Sequence, residues 1–96
     1  MQHNEWFSPF LSLNLCGGEL VTIENDGEDM LEIRWPDGMW IDVGYFKDIS
    51  TYCITTVPDD TLEGWNHPLS VVETTDRQAL DKILQEEIFR CRKRIP

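Results

Sequence analysis

Hydrophobic and polar residues alternate along the middle of the chain, and this alternation predicts β-strands. Four strand-like runs follow the pair Gly17-Gly18: Glu19–Glu24, Met30–Trp35, Met39–Phe46 and Ile49–Val57. Turn-forming residues separate each run from the next, and a short fifth run covers Leu69–Glu73. Because successive runs are joined by short connections, the pattern predicts an antiparallel β-meander of four or five strands.

The turn between the second and third runs determines the register of the central hairpin. A three-residue loop at Pro36-Asp37-Gly38 places Ile33 opposite Ile41 and Leu31 opposite Val43, so that the aliphatic side chains share one face. A two-residue loop mixes apolar and acidic side chains on both faces. We predict the three-residue loop, because a slip of one residue would turn the whole apolar set outward.

The other face of this hairpin combines an aromatic side chain with charges. The same register sets Arg34 opposite Trp40, which favours a cation–π contact, and Glu32 opposite Asp42, two like charges that repel. A large aromatic beside uncompensated carboxylates is unusual for a face that meets only water. We therefore expect this face to be covered by another segment or to be a recognition surface.

The two flanking hairpins can also be aligned on the aliphatic face. In the first, a loop at Asp26–Glu28 places Val21 and Ile23 beside the aliphatic residues of the second run. In the third, a two- or four-residue connection places Tyr52 and Ile54 beside those of the third run. Both alignments extend the same apolar face across the sheet.

A helical period occurs near the C-terminus. Apolar residues recur there at spacings of three and four: Leu80, Ile83, Leu84, Ile88 and Cys91. Thr75 and Gln78 form a capping box, Asp76 lies in the first turn, and Arg90, Arg92, Lys93 and Arg94 lie at the negative end of the helix. The chain is therefore predicted to be α+β, a single domain over 1–96 with an antiparallel four- to five-stranded β-meander and one C-terminal α-helix packed on one face.

Two further segments have less defined patterns. Residues 4–16 fit either a short helical turn, with Pro9 at its first position, or an extended edge strand. Residues 58–68 form an acidic connection of eleven residues bounded by prolines. Connections of this length inside a compact domain are often functional or mobile, but this one also fits a simple link between strands.

Charge is distributed unevenly along the chain. Residues 1–75 carry fourteen acidic side chains against only Arg34 and Lys47, whereas residues 76–96 carry four acids and six bases; the whole chain has a net charge of −10. Such a surface repels a phosphate backbone, which argues against direct nucleic-acid binding. It favours a basic protein partner instead.

Catalytic, metal and membrane signals are weak. The three cysteines are far apart and odd in number, which is typical of reduced thiols in the cytoplasm. No apolar run is long enough for a spanning helix. Cys53 and His67 make a conceivable nucleophilic pair without a third orienting group, and no metal-ligand spacing or phosphate-binding motif occurs. We predict no catalytic residue, no metal and no cofactor.

These patterns favour a small, acidic, cytoplasmic protein-binding module. Its most concrete form is an immunity or inhibitor protein that blocks a basic, nucleic-acid-processing partner. The predicted partner-binding residues are Arg34, Trp40, Asp42, Asp59, Asp60, Glu63 and Trp65. One alternative is a structural or regulatory subunit that forms a homodimer through a strand edge or the basic helix end; a less favoured one is a small hydrolytic enzyme centred on residues 58–68.

Overall fold

The computed structural model describes residues 12–22 and 29–92, and these form a five-stranded antiparallel sheet with a helix packed on it. The strands follow one another in chain order: β1 (Glu19–Thr22), β2 (Asp29–Arg34), β3 (Trp40–Phe46), β4 (Thr51–Val57) and β5 (Ser70–Thr74). A short helix, α1 (Leu62–Asn66), lies between β4 and β5, and a 3₁₀ turn (Arg77–Ala79) leads into α2 (Leu80–Arg92). The predicted α+β fold, a β-meander followed by a C-terminal helix, is confirmed.

The core lies between α2 and the central strands. β2 and β3 contribute aliphatic residues that are fully buried, and α2 contributes the apolar stripe predicted from its sequence. The main buried members are Leu31, Ile33, Ile41, Val43, Leu80, Leu84 and Ile88. Burial of each such side chain stabilises the fold by roughly 1.5–3 kcal/mol, so this contact holds α2 on the sheet.

The central hairpin has the predicted register. Ile33 pairs with Ile41 across β2 and β3. Trp35 N–H donates to the carbonyl of Met39 at 3.0 Å and the N–H of Gly38 donates back to Trp35 at 3.0 Å, which closes the three-residue loop. Gly38 has φ +101°, the left-handed conformation that glycine adopts without strain. The turn residues and the aliphatic alternation therefore specify the same pairing.

The predicted register of the first hairpin is wrong by one residue. Leu20, not Val21, pairs with Ile33 and packs against the core, whereas Val21 pairs with Glu32 and faces the other side of the sheet. Leu20 and Val21 are both apolar, so the sequence allows either of them to face the core. In the observed register the larger of the two, Leu20, packs against the core. The predicted loop at Asp26–Glu28 and its neighbour Ile23 lie outside the described residues.

The third hairpin has a four-residue connection at 47–50, one of the two predicted lengths. Ile54 pairs with Val43 and Tyr52 pairs with Tyr45, so both side chains lie on the predicted face. β4 begins at Thr51 rather than at Ile49, which lies in the turn and is 64% exposed.

The N-terminal end of α2 differs from the predicted capping box. Asp76, not Thr75, is the cap: its Oδ1 accepts the N–H of Gln78 at 3.0 Å. Thr74 Oγ1 in turn accepts the N–H of Asp76 at 3.0 Å. A carboxylate at the positive end of a helix gains both a hydrogen bond and the dipole interaction, which explains why Asp76 prevails over a neighbouring hydroxyl.

The chain before β1 is attached to the helix side of the sheet. Asn14 N–H donates to Gln85 Oε1 at 2.8 Å, and Gln85 Nε2 donates to the carbonyl of Asn14 at 3.0 Å. Trp35 Nε1 donates to the carbonyl of Leu15 at 2.8 Å. Residues 12–18 therefore connect α2 to the central hairpin, while 4–11 of the ambiguous segment lie outside the described residues.

Candidate recognition surface

The sheet face opposite α2, here called the outer face, carries three of the seven predicted partner-binding residues: Arg34, Trp40 and Asp42. Alternation along the strands places the following side chains on it: Glu19, Val21, Glu32, Arg34, Trp40, Asp42, Phe46, Thr51, Cys53, Thr55, Val57, Val71 and Glu73. α2 packs on the other side of the sheet and does not cover this face. It combines aromatic, aliphatic, acidic and basic groups.

Arg34 and Trp40 form the contact that the hairpin register predicts. The guanidinium carbon of Arg34 lies 4.4 Å from the centre of the Trp40 ring. Arg34 also donates through Nε (3.1 Å) and Nη2 (2.7 Å) to the same oxygen of Glu32. The predicted juxtaposition of Glu32 and Asp42 is present, but Glu32 is compensated by Arg34 rather than left without a counter-charge. The outer face is therefore less acidic than the sequence suggests.

Trp40 and Trp65 are brought together although twenty-five positions separate them in the sequence. Their ring centres are 6.3 Å apart and the rings are nearly perpendicular, at 87°. Edge-to-face pairs at this distance are the favoured arrangement of two aromatic rings. Neither indole is buried, and Trp65 Nε1 donates to Asp60 Oδ1 at 2.8 Å. The structure thus joins two predicted anchors into one aromatic pair.

The position of Trp65 follows from the local structure of the segment 58–68, where the structure has α1 in place of the predicted loop. Thr61 caps the helix: its Oγ1 accepts the N–H of Gly64 at 3.0 Å and its carbonyl accepts the N–H of Trp65 at 3.0 Å. The Thr61 hydroxyl also bonds Asp59. Gly64 is buried so tightly that a Cβ there would lie 2.4 Å from the carbonyl oxygen of Asp59. α1 is therefore a firmly held turn.

The carboxylates around α1 are exposed. Asp59 and Asp60 lie on the surface just before α1, and Glu63 is an exposed residue of α1 two positions before Trp65. No lysine or arginine occurs in the sequence between Lys47 and Arg77, so no nearby cation along the chain offsets them. Asp42 lies apart from this group, half-buried and two positions along β3 from Trp40.

Sequence reasoning missed two apolar residues at this surface. Leu62 on α1 is 78% exposed, and Val71 on β5 is 53% exposed. Leu62 precedes Trp65 by three positions, so both side chains project from neighbouring positions of α1. A helix of five residues shows no repeating period, which leaves the cap residue Thr61 as the only sequence signal for α1.

A second polar cluster lies on the helix face. The Glu87 carboxylate is buried, and its Oε2 accepts hydrogen bonds from Thr56 (3.1 Å) and Cys91 (3.2 Å), while Oε1 pairs with Arg90. Burial alone raises the pKa of Glu87, but hydrogen bonds from Ser70, Arg90 and Cys91, with the charge of Arg90, lower it below its ordinary value. Burial and the neighbouring carboxylate raise the pKa of the Cys91 thiol. This cluster fixes α2 to the sheet and keeps the thiol protonated.

The outer face also carries a cysteine, Cys53. The Cys53 Sγ lies 3.6 Å from Thr55 Oγ1, and all three cysteines are free thiols. Over 12–22 and 29–92, no three His, Cys, Asp or Glu side chains cluster as metal ligands would. Within the same ranges, no helix has the length and hydropathy that crossing a membrane requires.

Comparisons with protein-family models, with curated proteins and with solved structures found no match.

Proposed function

We propose that this chain is a small acidic binding module that docks onto a basic protein. In its most concrete form it is an immunity- or inhibitor-type protein that occupies the phosphate-binding cleft of a nucleic-acid-processing partner. The observation that carries this proposal is the Trp40–Trp65 pair, which is not buried and is flanked by exposed carboxylates.

The aromatic pair supplies the contact area. Tryptophan is enriched at the energetic centres of protein interfaces because it combines a large rigid apolar surface with one hydrogen-bond donor. The rings of Trp40 and Trp65 are held against each other, and Trp65 is fixed further by Asp60. Little side-chain freedom is left to lose on binding, which favours affinity.

The carboxylates supply direction. Asp59 and Asp60 precede α1 and Glu63 lies in its first turn; all three are exposed, and the whole chain carries a net charge of −10. A cleft that binds nucleic-acid phosphates is positive, so these groups would be attracted to it as phosphates are. Association would then be fast and strongly weakened by salt.

The test begins with the immobilised protein and an extract of its native host at low and high salt. We expect a basic protein to be retained at low salt and released at high salt. The purified partner should then bind with a Kd that rises steeply with salt, and DNA or RNA should compete for it. If no basic protein is retained at low salt, or if nucleic acid does not compete, the proposal fails.

A matched pair of variants locates the contact. Asp60→Asn/Glu63→Gln removes two charges beside Trp65, and Asp48→Asn/Glu86→Gln removes two exposed charges elsewhere. Both variants have the same net charge. We expect the first to raise the Kd by about tenfold and the second by about twofold or less, because a local charge acts on the interface and a remote one is screened. Equal effects would contradict a docking site at α1.

Self-association is a second candidate, favoured by the exposure of β5. This strand ends the described sheet, and Val71 on it is 53% exposed. Edge strands can pair with a second copy of themselves. Sedimentation at two protein concentrations tests this: a concentration-dependent dimer that Val71→Lys abolishes would support it, and a monomer at both concentrations would exclude it.

A further inference from the structure

We propose that α1 is the leading contact of the binding module, with Leu62 and Trp65 inserting together into an apolar socket whose rim carries lysine or arginine. This inference depends on the function proposed above and specifies the chemistry that the partner must present. It assigns Leu62, which no sequence pattern identified, as the central anchor.

The first support is the exposure of Leu62. It is the most exposed of the large hydrophobic residues in the part of the chain that the structure describes, at 78%. Its neighbour in the next turn, Trp65, is only partly covered and contacts Trp40. Leu62 precedes Trp65 by three positions on α1, so both present apolar surface there, and its removal from water by another protein favours binding.

The second support is the rigidity of α1. The cap at Thr61, the hydrogen bond from Trp65 to Asp60 and the close packing of Gly64 on Asp59 hold the turn in one conformation. After α1, the N–H of Leu69 donates to the carbonyl of Thr56 at 2.7 Å, which ties the end of the segment to β4. An exposed leucine on such a support is already ordered for binding, so docking costs little conformational entropy.

The third support is the charge around Leu62, which selects the partner. Three exposed acidic residues lie within three positions of it in the sequence, Asp59, Asp60 and Glu63, and the chain provides no lysine or arginine between Lys47 and Arg77. A neutral or acidic socket would bury or crowd these charges without compensation, whereas a rim of lysine or arginine pairs with them. The occupant is therefore a basic protein surface with an apolar centre.

A second copy of the chain fits this site poorly. Three of its arginines are already paired with carboxylates of their own chain: Arg34 with Glu32, Arg90 with Glu87 and Arg92 with Asp37. Two copies at −10 each also repel one another.

The experiment uses a random dodecapeptide phage library as the probe. The library is panned at low salt against the immobilised wild-type protein, and the most enriched peptides are synthesised. We expect sequences in which apolar side chains are flanked by lysine or arginine. Each peptide is then titrated into wild type, Leu62→Ser, Leu62→Met and a control, Ile49→Ser.

Ile49 is a matched control because it is an aliphatic residue 64% exposed at the opposite end of the β3–β4 hairpin. The hairpin strands have seven residues each, so Ile49 lies about 20 Å from α1. We expect Leu62→Ser to raise the Kd by at least about tenfold, while Leu62→Met and Ile49→Ser remain within about twofold of wild type. Far-ultraviolet circular dichroism should show that all variants are folded.

Several results would overturn the inference: peptides without basic residues, equal affinity of Leu62→Ser and wild type, or no enrichment. A wild-type dimer that Leu62→Ser dissociates would also overturn it, in favour of a second copy as the occupant. Failure of the proposed function is a different result, since it is seen as absence of a retained basic protein from the host extract. If a host partner is found and binds Leu62→Ser as tightly as wild type, the proposed function stands and only the role of Leu62 is refuted.

Discussion

An arginine lies over a tryptophan on each face of the sheet, and the two pairs differ in what surrounds them. On the helix face, Arg92 lies 4.8 Å from the centre of the Trp35 ring; on the outer face, Arg34 lies 4.4 Å from that of Trp40. Each arginine is also paired with a carboxylate, Asp37 in the first case and Glu32 in the second. Trp35 is 4% exposed, whereas Trp40 is only half-buried.

The difference fits a stabilising role for the contact on the helix face and the proposed recognition role for the contact on the outer face. Arg92 reaches from α2 to a turn fifty-five positions away, so its contacts close a long-range tertiary connection. Arg34 contacts a neighbouring strand that the hairpin already places beside it. The outer contact therefore joins residues that are already neighbours in the sheet, and Trp40 is only half-buried.

Truncation of each tryptophan should separate the two roles most strongly. Trp35→Ala removes a buried ring and its hydrogen bond to Leu15, so we expect unfolding free energy to fall by about 3–5 kcal/mol. Trp40→Ala, on the half-buried face, should cost about 1 kcal/mol. Urea titration followed by circular dichroism measures both. Similar losses in the two variants would contradict the division of roles between the faces.

The buried carboxylate of the helix face should make stability depend on pH. Because the pKa of Glu87 is lower in the folded protein, its contribution is present above the ordinary carboxyl pKa and is lost as the pH falls through the lowered value. We expect Glu87→Gln to cost about 1–3 kcal/mol near neutral pH and to flatten the acidic limb of the stability profile. Glu32→Gln on the outer face should cost less than about 1 kcal/mol. The measurement is the free energy of unfolding across acidic and neutral pH. If Glu87→Gln lost stability at acidic pH as steeply as wild type, the prediction would be refuted.

Gly64 is the buried residue of α1, and it lies close against Asp59. In Gly64→Ala the new Cβ would meet the carbonyl of Asp59 at 2.4 Å, so the turn must shift. We expect a loss of about 1–2 kcal/mol and a changed near-ultraviolet circular dichroism signal from the Trp40–Trp65 pair. Glu63→Ala changes an exposed neighbour and is the control; it should leave the free energy of unfolding and the aromatic signal nearly unchanged. An unaltered aromatic signal in Gly64→Ala would show that α1 is looser than the contacts indicate.

Double-mutant cycles compare the two arginine–tryptophan contacts directly. For Arg92 and Trp35 we expect a coupling energy of about 1–2 kcal/mol, because the ring is shielded from water. For Arg34 and Trp40 it should be about 0.5 kcal/mol. For each contact, the cycle compares wild type with the arginine-to-alanine variant, the tryptophan-to-alanine variant and the variant that carries both replacements. A larger coupling on the outer face would mean that Trp40 is committed to the fold.

The central hairpin was predictable from sequence because two independent signals agree there. The alternation from Leu31 to Val43 and the turn residues Pro36-Asp37-Gly38 allow one common register. At β1 the alternation does not decide the register, because Leu20 and Val21 are both apolar, and the predicted register is wrong by one residue. The start of α2 offers two adjacent residues that can cap a helix, Thr75 and Asp76. The prediction takes Thr75, whereas the structure has Asp76.

The candidate recognition surface was predictable only where a strand register determines which residues are neighbours. Arg34 and Trp40 follow from the hairpin, whereas the contact of Trp40 with Trp65 depends on how α1 folds back after β4. Leu62 gave no signal because exposure cannot be read from one leucine in a five-residue helix. Local chemistry thus identifies the members of the surface, while tertiary packing decides which of them meet.

Burial of the Cys91 thiol gives the protein an internal reporter of helix detachment. Alkylating reagents react with thiolates, and a raised pKa together with 3% exposure protects Cys91 while α2 remains on the sheet. With Cys16 and Cys53 replaced by serine, the alkylation rate of Cys91 therefore measures how often α2 leaves the sheet. A bound partner that stabilises the native state should slow this reaction in proportion to its concentration above the Kd, even if it contacts only the outer face.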